Sequence, residues 1–408
     1  MKYIILLGDG MADRPIASLG NKTCLQAAKT PNLDFLASHG QIGMVNTVPE
    51  GFHPGSDVAN LSVLGYDPKK FYTGRSPLEA ASMGVELGAD DIAYRCNLVT
   101  LKHSGVKSDP SACRKFVMED FSAGHITTPE ARTLIEMIES ELGNDHIRFY
   151  PGVSYRHLMV WKNGKDRIDC TPPHDIQDRD IQDYLPRGDG DDVINELMEA
   201  SVELLTNHPL NTGRCRSGKR PANSIWLWGQ GRRPSMPTFR EKYGLTGAVI
   251  SAVDLTKGLG IYAGFEVIDV PGATGWIDTN YIGKAEHALE ALKTRDIVYL
   301  HVEAPDEAGH TGDVNNKLKA IEDFDAFVVG TIMNGMKQFG EHRILALPDH
   351  PTPIEIRTHS ADPVPFVIFD SASEQGGVPR SYDEKIAEQK DALTFKEGHL
   401  LMDYFVRR

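Results

Sequence analysis

Apolar residues along this chain gather in short runs that break off in acid. KYIILL (2–7), DIVYLHV (296–302) and RILALP (343–348) place Ile, Leu, Val and Tyr side by side with little alternation. Runs of that length predict strands buried on both faces, as in a parallel sheet. GAVIS (247–251) and FEVIDV (265–270) read as two more. TNYIGKAEHALEALKT (279–294) and NNKLKAIEDFDAFVVGTIMNGMKQF (315–339) carry helical patterns. Strands alternating with helices predict an α/β protein built on a layered sheet. From about Tyr94 to Arg220 the alternation lapses, in stretches such as RCNLVTL, FYPGVSYRHLMVW and TPPHDIQDRDIQDYLPRGDGDD. That segment is expected to be a second domain, 94–220, inserted into a discontinuous first domain, 1–93 with 221–408.

Composition narrows the classes. A chain of 408 residues, 40% hydrophobic, buries a large core. Its net charge of -14 argues against nonspecific nucleic-acid binding, which leans on cationic surface. No apolar run approaches the roughly 20 residues that cross a bilayer. MKYIILLGDG has no small-residue cleavage site and already ends in acid, so a first core strand is the expectation rather than a signal peptide. The five cysteines (24, 96, 113, 170, 215) are scattered and form no CxxC pair, which suits reduced thiols in a cytoplasmic protein.

The acids where the apolar runs stop carry the chemistry. Asp9 follows IILLG, Asp306 follows YLHVEAP and Asp349 follows ILALP. Ligands of open α/β sheets gather at the carboxyl ends of the strands. Three carboxylates delivered there repel one another unless a cation sits among them. Histidines stand close by: His310 four residues after Asp306, His350 next to Asp349, and His359 beyond. A lone strand-end Asp is usually a cap or turn former, and a lone His usually a surface or satisfied core group. Three such acids, two with a His close behind, point instead to a metal site of oxygen and nitrogen donors. That set suits Mn²⁺ or Zn²⁺, with the lack of cysteine tilting toward Mn²⁺. Glu303 and Glu307 are spare ligands or solvated neighbours.

Ser56, in EGFHPGSDVANLSVLGYDP (50–68), opens a helical pattern. A serine there is a plain N-cap or an anion-binding nucleophile, and spacing does not choose between them. GRCRSGKR (213–220) nearly matches a phosphate-binding P-loop but ends in Arg220 where a hydroxyl should stand, and no buried strand precedes it. We set it aside.

Taken in order, LLGDGMAD, HPGSDVANLSVLGYDP, HVEAPDEAGHTGD, PDHPTP and RTHSADPVPF resemble the cofactor-independent phosphoglycerate mutases, in the archaeal-type branch that also occurs in bacteria, within the alkaline phosphatase superfamily. The resemblance runs over essentially the whole chain. It implies an alkaline-phosphatase-like layered αβα sheet domain that binds metal and catalyses, with an inserted smaller α+β domain serving as substrate-binding lid. It implies two divalent ions, Mn²⁺ foremost, with Zn²⁺, Co²⁺ or Mg²⁺ as alternatives. One would be held by Asp306, His310 and His359, the other by Asp9, Ser56, Asp349 and His350, with Ser56 accepting the phosphoryl group. His359 takes the third-ligand place because it precedes DPVPF; His399 is expected to pack or cap the terminal helix. Lys284 resembles the family's helix lysine near the phosphate. Arg156, Arg214 and His125 are substrate candidates on position and charge type, with Arg232 and Arg233 behind them.

The implied activity is interconversion of 3- and 2-phosphoglycerate through phosphoserine, on a small phosphorylated substrate, without nucleic acid or membrane. TVPEGFHPGSDVANLSVLGYDPKKFYTGRSPLEAASMG and PANSIWLWGQG come especially close to a bacterial subgroup proposed to act as homoserine kinases. Kinase or phosphatase chemistry on the same scaffold is therefore the alternative. A metal-binding protein without catalysis is a third reading, disfavoured because every ligand position is filled.

Overall fold

The computed structural model describes residues 1–104, 115–373 and 377–407. Cys113 lies outside them; Cys24, Cys96, Cys170 and Cys215 are free thiols. The chain packs as two compact units, Met1–Tyr72 with Ser235–Arg408, and Thr73–Pro234.

The first unit is built on one eight-stranded sheet. Its strands are β1 (Lys2–Gly8), β2 (Gln41–Val45), β3 (Gly247–Ile250), β4 (Glu266–Val267), β5 (Ile297–Val302), β6 (His342–Leu347), β7 (Val364–Asp370) and β8 (Leu393–Phe395). They lie in the order β4-β3-β5-β1-β6-β7-β2-β8. From β4 to β6 every pairing is parallel, and β7 runs antiparallel to both of its neighbours. All five expected strands are present, although FEVIDV contributes only two paired residues. Ile4, Ile5, Leu6 and Leu7 are fully buried, as is every residue of β5. Burial of a side chain that size is worth about 1.5–3 kcal/mol, so the strands that deliver the acids are rigidly held. Complete burial also means that both faces of the central strands are covered, the layered arrangement expected. Helix Tyr281–Leu292 packs on β5 and β3, and Pro31–His39 on β7. The run expected as one helix, 315–339, is helical from Val314 but passes through a π-helical turn, Phe324–Val329. Asp325 in that turn accepts from Leu33 N at 2.7 Å and Asn32 N at 3.2 Å, which ties the wider turn to the neighbouring helix.

The second unit is the smaller α+β part. Strand Ile92–His103 pairs antiparallel with Phe116–Asp120, Arg156–Trp161 and Ser224–Arg232, and Ile147–Val153 pairs with Arg156–Trp161. Helices Thr128–Leu142 and Asp191–Thr206 cover it, with Leu134, Ile135, Ile138, Ile194 and Trp226 among its core residues. The unit is wider at both ends than the 94–220 expected. The long strand is the reason: helix Ser76–Ser82 packs on it from one side of the sequence, and Ser224–Arg232 pairs with it from the other.

Candidate metal centre at the carboxyl edge of the sheet

Register sets the site. Gly8 pairs with Val302 and Leu7 with Leu347, so the chain leaves β1, β5 and β6 at neighbouring points of one edge. Asp9 and Glu303 are the first residues past their strands, and Asp349 the second past its own. Asp306 and His310 lie one turn apart on helix Ala304–Thr311. Ser56 is the first residue of helix Ser56–Val63. Gly10 makes the tight turn after Asp9 at φ +63, and its N–H donates to Asp349 Oδ1 at 3.2 Å. A Cβ on Gly10 would sit 2.7 Å from the Asp306 backbone, so the turn admits only glycine.

Two groups of donors meet there. In one, His310 Nε2 is 3.2 Å from Asp306 Oδ2 and 3.0 Å from His359 Nε2, and His359 Nε2 is 3.4 Å from Asp306 Oδ1. In the other, His350 Nε2 is 3.1 Å from Ser56 Oγ, 3.4 Å from Asp349 Oδ2 and 3.8 Å from Asp9 Oδ1. Asp306, His350 and His359 offer ligand atoms mutually within 4.8 Å, as do Asp9, Asp349 and His350. A third such set is Asp9, His301 and Glu303.

The rings have their lone pairs turned inward. His310 Nδ1 lies 3.0 Å from Arg357 O, and His359 Nδ1 3.3 Å from Pro54 O. A carbonyl only accepts, so in the neutral rings both Nδ1 atoms carry the hydrogen and both Nε2 atoms present lone pairs. Two lone pairs facing each other beside a carboxylate repel unless a cation or proton stands between them. Among the described residues, Asp9 Oδ1 is buried with no hydrogen-bond partner, and so is Glu303 Oε2.

Charge is strained in the same sense. Burial, then the charges of Asp349, Glu303 and Asp306, push the Asp9 carboxyl far above the usual carboxylate range. Burial and Asp306 push Glu303 up to about 8. Burial works against Asp306 too, yet the adjoining His310 and His359 outweigh it and hold that carboxyl well below its ordinary value. His310 in turn is lifted to about 9, Asp306 overcoming the effect of burial. With protons alone, acids must stay neutral here while an imidazole charges. A divalent cation resolves the same conflict. Oxygen and nitrogen donors without sulfur, an orphaned Asp9 oxygen and converging Nε2 lone pairs fit divalent ions.

Four residues that the motifs did not single out hold this geometry. His301, fully buried, sets Nε2 2.9 Å from Asp9 Oδ2 and Nδ1 3.1 Å from Ser251 Oγ. Burial pushes His301 down to about 3, so it stays a neutral partner of Asp9. Asn60 donates to Ser56 O at 2.8 Å and to Asp349 Oδ2 at 2.9 Å, and its own oxygen accepts from the Tyr299 hydroxyl. Thr352 touches Asp306 through its hydroxyl. Asn60 had a legible signal, standing one turn after Ser56 on the same helix face. His301 and Tyr299 had none, because inside an apolar strand they read as core.

The remaining candidates scatter. Lys284 is fully buried and donates to His301 O at 3.1 Å, and burial pushes its ammonium down to about 8 against the pull of Glu303. Glu303 adjoins the centre, its Oε2 3.6 Å from His301 Nε2, whereas Glu307 is exposed. His125 and Arg156 are exposed in the second unit and meet around Tyr155: the His125 ring is 6.0 Å from that ring, and the Arg156 guanidinium lies 5.1 Å over it. Arg214 is buried in the second unit, donating to Glu130 at 2.7 Å, Ala123 O at 2.7 Å and Arg220 O at 2.9 Å. With Nε and both terminal nitrogens committed, it is a structural clamp on helix Thr128–Leu142. Arg232 is paired with Asp166 at 2.7 Å. His399 stands at the N-cap position of the terminal helix, but its side chain makes no capping hydrogen bond. Gly213 lies inside helix Pro209–Arg216, so no phosphate-cradling loop opens a helix there.

Fold and site define a layered α/β protein with a carboxylate–imidazole centre at the carboxyl edge of its sheet, and with candidate groups for divalent ions. A family model described as 2,3-bisphosphoglycerate-independent phosphoglycerate mutase matches residues 37–211. A probable 2,3-bisphosphoglycerate-independent phosphoglycerate mutase of Geobacter sulfurreducens is 57% identical over 408 residues, 100% of each chain. The 2,3-bisphosphoglycerate-independent phosphoglycerate mutase of Methanosarcina barkeri is 54% identical, covering 98% of each. The solved cofactor-independent phosphoglycerate mutase of Thermoplasma acidophilum superposes with a TM-score of 0.65 at 28% identity, over 99% of both chains. The chain belongs to the 2,3-bisphosphoglycerate-independent phosphoglycerate mutase family, as its ordered motifs implied. Among the described residues, no helix is long and apolar enough to cross a membrane.

Proposed function

We propose that this chain interconverts 3-phosphoglycerate and 2-phosphoglycerate through a phosphoserine at Ser56, with two divalent ions held at the sheet edge. The observation that carries the reading is the place of Ser56: first in its helix, Oγ 3.1 Å from His350 Nε2, where the donor groups converge. Full-length relatives at 54% and 57% identity bearing that activity in their names support the substrate. Asp306, His310 and His359 would hold one ion; Asp9, Asp349, His350 and Ser56 the other. Mn²⁺ is the favoured ion for a donor set with this much carboxylate and no sulfur. Bound there, such ions neutralise a doubly negative phosphomonoester and lower the pKa of a nearby hydroxyl.

The chain's own groups do the rest. The N-terminus of the Ser56 helix favours a phosphate through its dipole. Asn60 fixes that helix to Asp349, so Ser56 Oγ is aimed before substrate arrives. Ser56 Oγ gives up its proton and attacks phosphorus; the P–O bond to the substrate's ester oxygen breaks, and that oxygen takes up a proton and leaves as a hydroxyl of glycerate. Glycerate turns, and its other hydroxyl takes the phosphoryl group back, restoring Ser56. Water in the site would divert the same intermediate to hydrolysis. Lys284, charged below about 8, is the buried cation beside Glu303 for the phosphate. A lid role for the second unit is part of this proposal, with Arg156 and His125 as its exposed candidates for the substrate.

The test compares substrates on Mn²⁺-loaded protein: 3-phosphoglycerate alone against homoserine plus ATP. Isomerisation without nucleotide is expected; ATP-dependent phosphohomoserine without isomerisation would replace the reading by the kinase. Ser56→Ala should abolish turnover with the fold intact, and unchanged turnover would end the phosphoserine route.

A further inference from the structure

Thr352 stands between the two donor groups. Its hydroxyl contacts Asp306 Oδ1, and the same oxygen is 3.4 Å from His350 Nδ1. An ionised carboxylate only accepts, so the hydroxyl hydrogen goes to Asp306 and the oxygen is left to accept from His350 Nδ1–H. That choice leaves the lone pair of His350 on Nε2, the atom facing Ser56 Oγ, Asp9 and Asp349.

The surroundings fix Thr352 from every side. It is fully buried. Its N–H donates to Ala12 O at 3.2 Å, and its carbonyl accepts from Lys317 Nζ at 2.8 Å. A Cβ on Gly10 would come 2.6 Å from the Thr352 hydroxyl, and one on Gly309 2.7 Å from its carbonyl. Glycine at both positions lets the threonine seat itself against the turn after β1 and the helix that bears Asp306.

We propose that Thr352 is a positioning residue that couples the two donor groups, orienting Asp306 and fixing the tautomer of His350 with one hydroxyl. The inference rests on the reading of the metal centre given above. Partners of this kind, behind a ligand, change metal affinity about 10–100-fold when removed. Thr352→Val keeps the shape and deletes the hydroxyl; Thr352→Ser keeps the hydroxyl and deletes the methyl.

Calorimetric Mn²⁺ titration of the full chain should show Thr352→Val weakened by about 10–100-fold, with Thr352→Ser close to wild type. Turnover number at saturating Mn²⁺ should follow the same order. Val binding Mn²⁺ as tightly as wild type, or Ser as weakly as Val, would overturn the proposal. Histidine ¹⁵N spectra of the Zn²⁺-loaded wild type need no folded variant: a hydrogen on His350 Nδ1 supports it, and one on Nε2 overturns it. Wild-type protein that binds no divalent ion would instead end the reading of the centre on which the proposal stands.

Discussion

Lys317→Met isolates a single buried cation. Lys317 is fully buried, and its ammonium donates to Asp13 Oδ2 at 2.8 Å, Thr352 O at 2.8 Å and Ala12 O at 3.2 Å. Methionine matches the length of the stem and removes all three bonds. Asp13 Oδ1 keeps Arg14 N at 2.8 Å and Ile354 N at 3.3 Å, but Oδ2 loses its ammonium partner in a buried site. Breaking one side of a buried ion pair costs about 3–5 kcal/mol. Two carbonyls also lose a donor, so the upper part of that range is expected. Each 1.4 kcal/mol is a factor of ten, so amide hydrogens of β1 should exchange roughly three to four orders of magnitude faster, provided that strand opens with its whole unit. Exchange mass spectrometry on peptides covering Tyr3–Gly8 reads this directly. Asp13→Leu combined with Lys317→Met should exchange more slowly than Lys317→Met alone, because a buried pair replaced by apolar groups is often neutral. Acceleration below tenfold in Lys317→Met would refute the reasoning.

Three further outcomes follow from the charges. Burial holds Lys284 near 8, so substrate binding should weaken as pH rises through that value; Lys284→Met should raise KM and flatten the pH profile of kcat/KM. The same shift has a stability sign: above about 8 the folded protein binds fewer protons at Lys284 than the unfolded chain, so this group's contribution improves from there toward the ordinary lysine value. His310 sits near 9, so a metal ion must displace its proton; Mn²⁺ affinity should fall about tenfold per unit of acidification below that value, read by titration at several pH values. Affinity unchanged between pH 6.5 and 8.5 would contradict the assignment of His310.

What the sequence showed and hid has physical causes. Strands such as KYIILL were legible because burial on both faces leaves an unbroken apolar run. Strand β7, VPFVIFD, carries Pro365 in its interior, which argues against a strand when read alone; it pairs antiparallel on both sides all the same. The second unit runs wider than 94–220 because Ser76–Ser82 and Ser224–Arg232 join it through pairing and packing on Ile92–His103, contacts that sequence distance conceals. At the site, the acids announced themselves by interrupting apolar runs. His301 did not, since its partner Asp9 lies 292 residues away and a histidine within YLHV looks like core. The pairing of Arg214 was hidden in the same way: its charge reads as available, and its partner Glu130 lies 84 residues earlier.

The central claim is that Ser56 itself carries the phosphoryl group. Mn²⁺-loaded protein turning over 3-phosphoglycerate, quenched in acid within a few catalytic cycles and mapped by mass spectrometry, should show phosphate on the peptide containing Ser56 and on no other serine. Sustained isomerisation with Ser56 unmodified at every quench time would contradict the account.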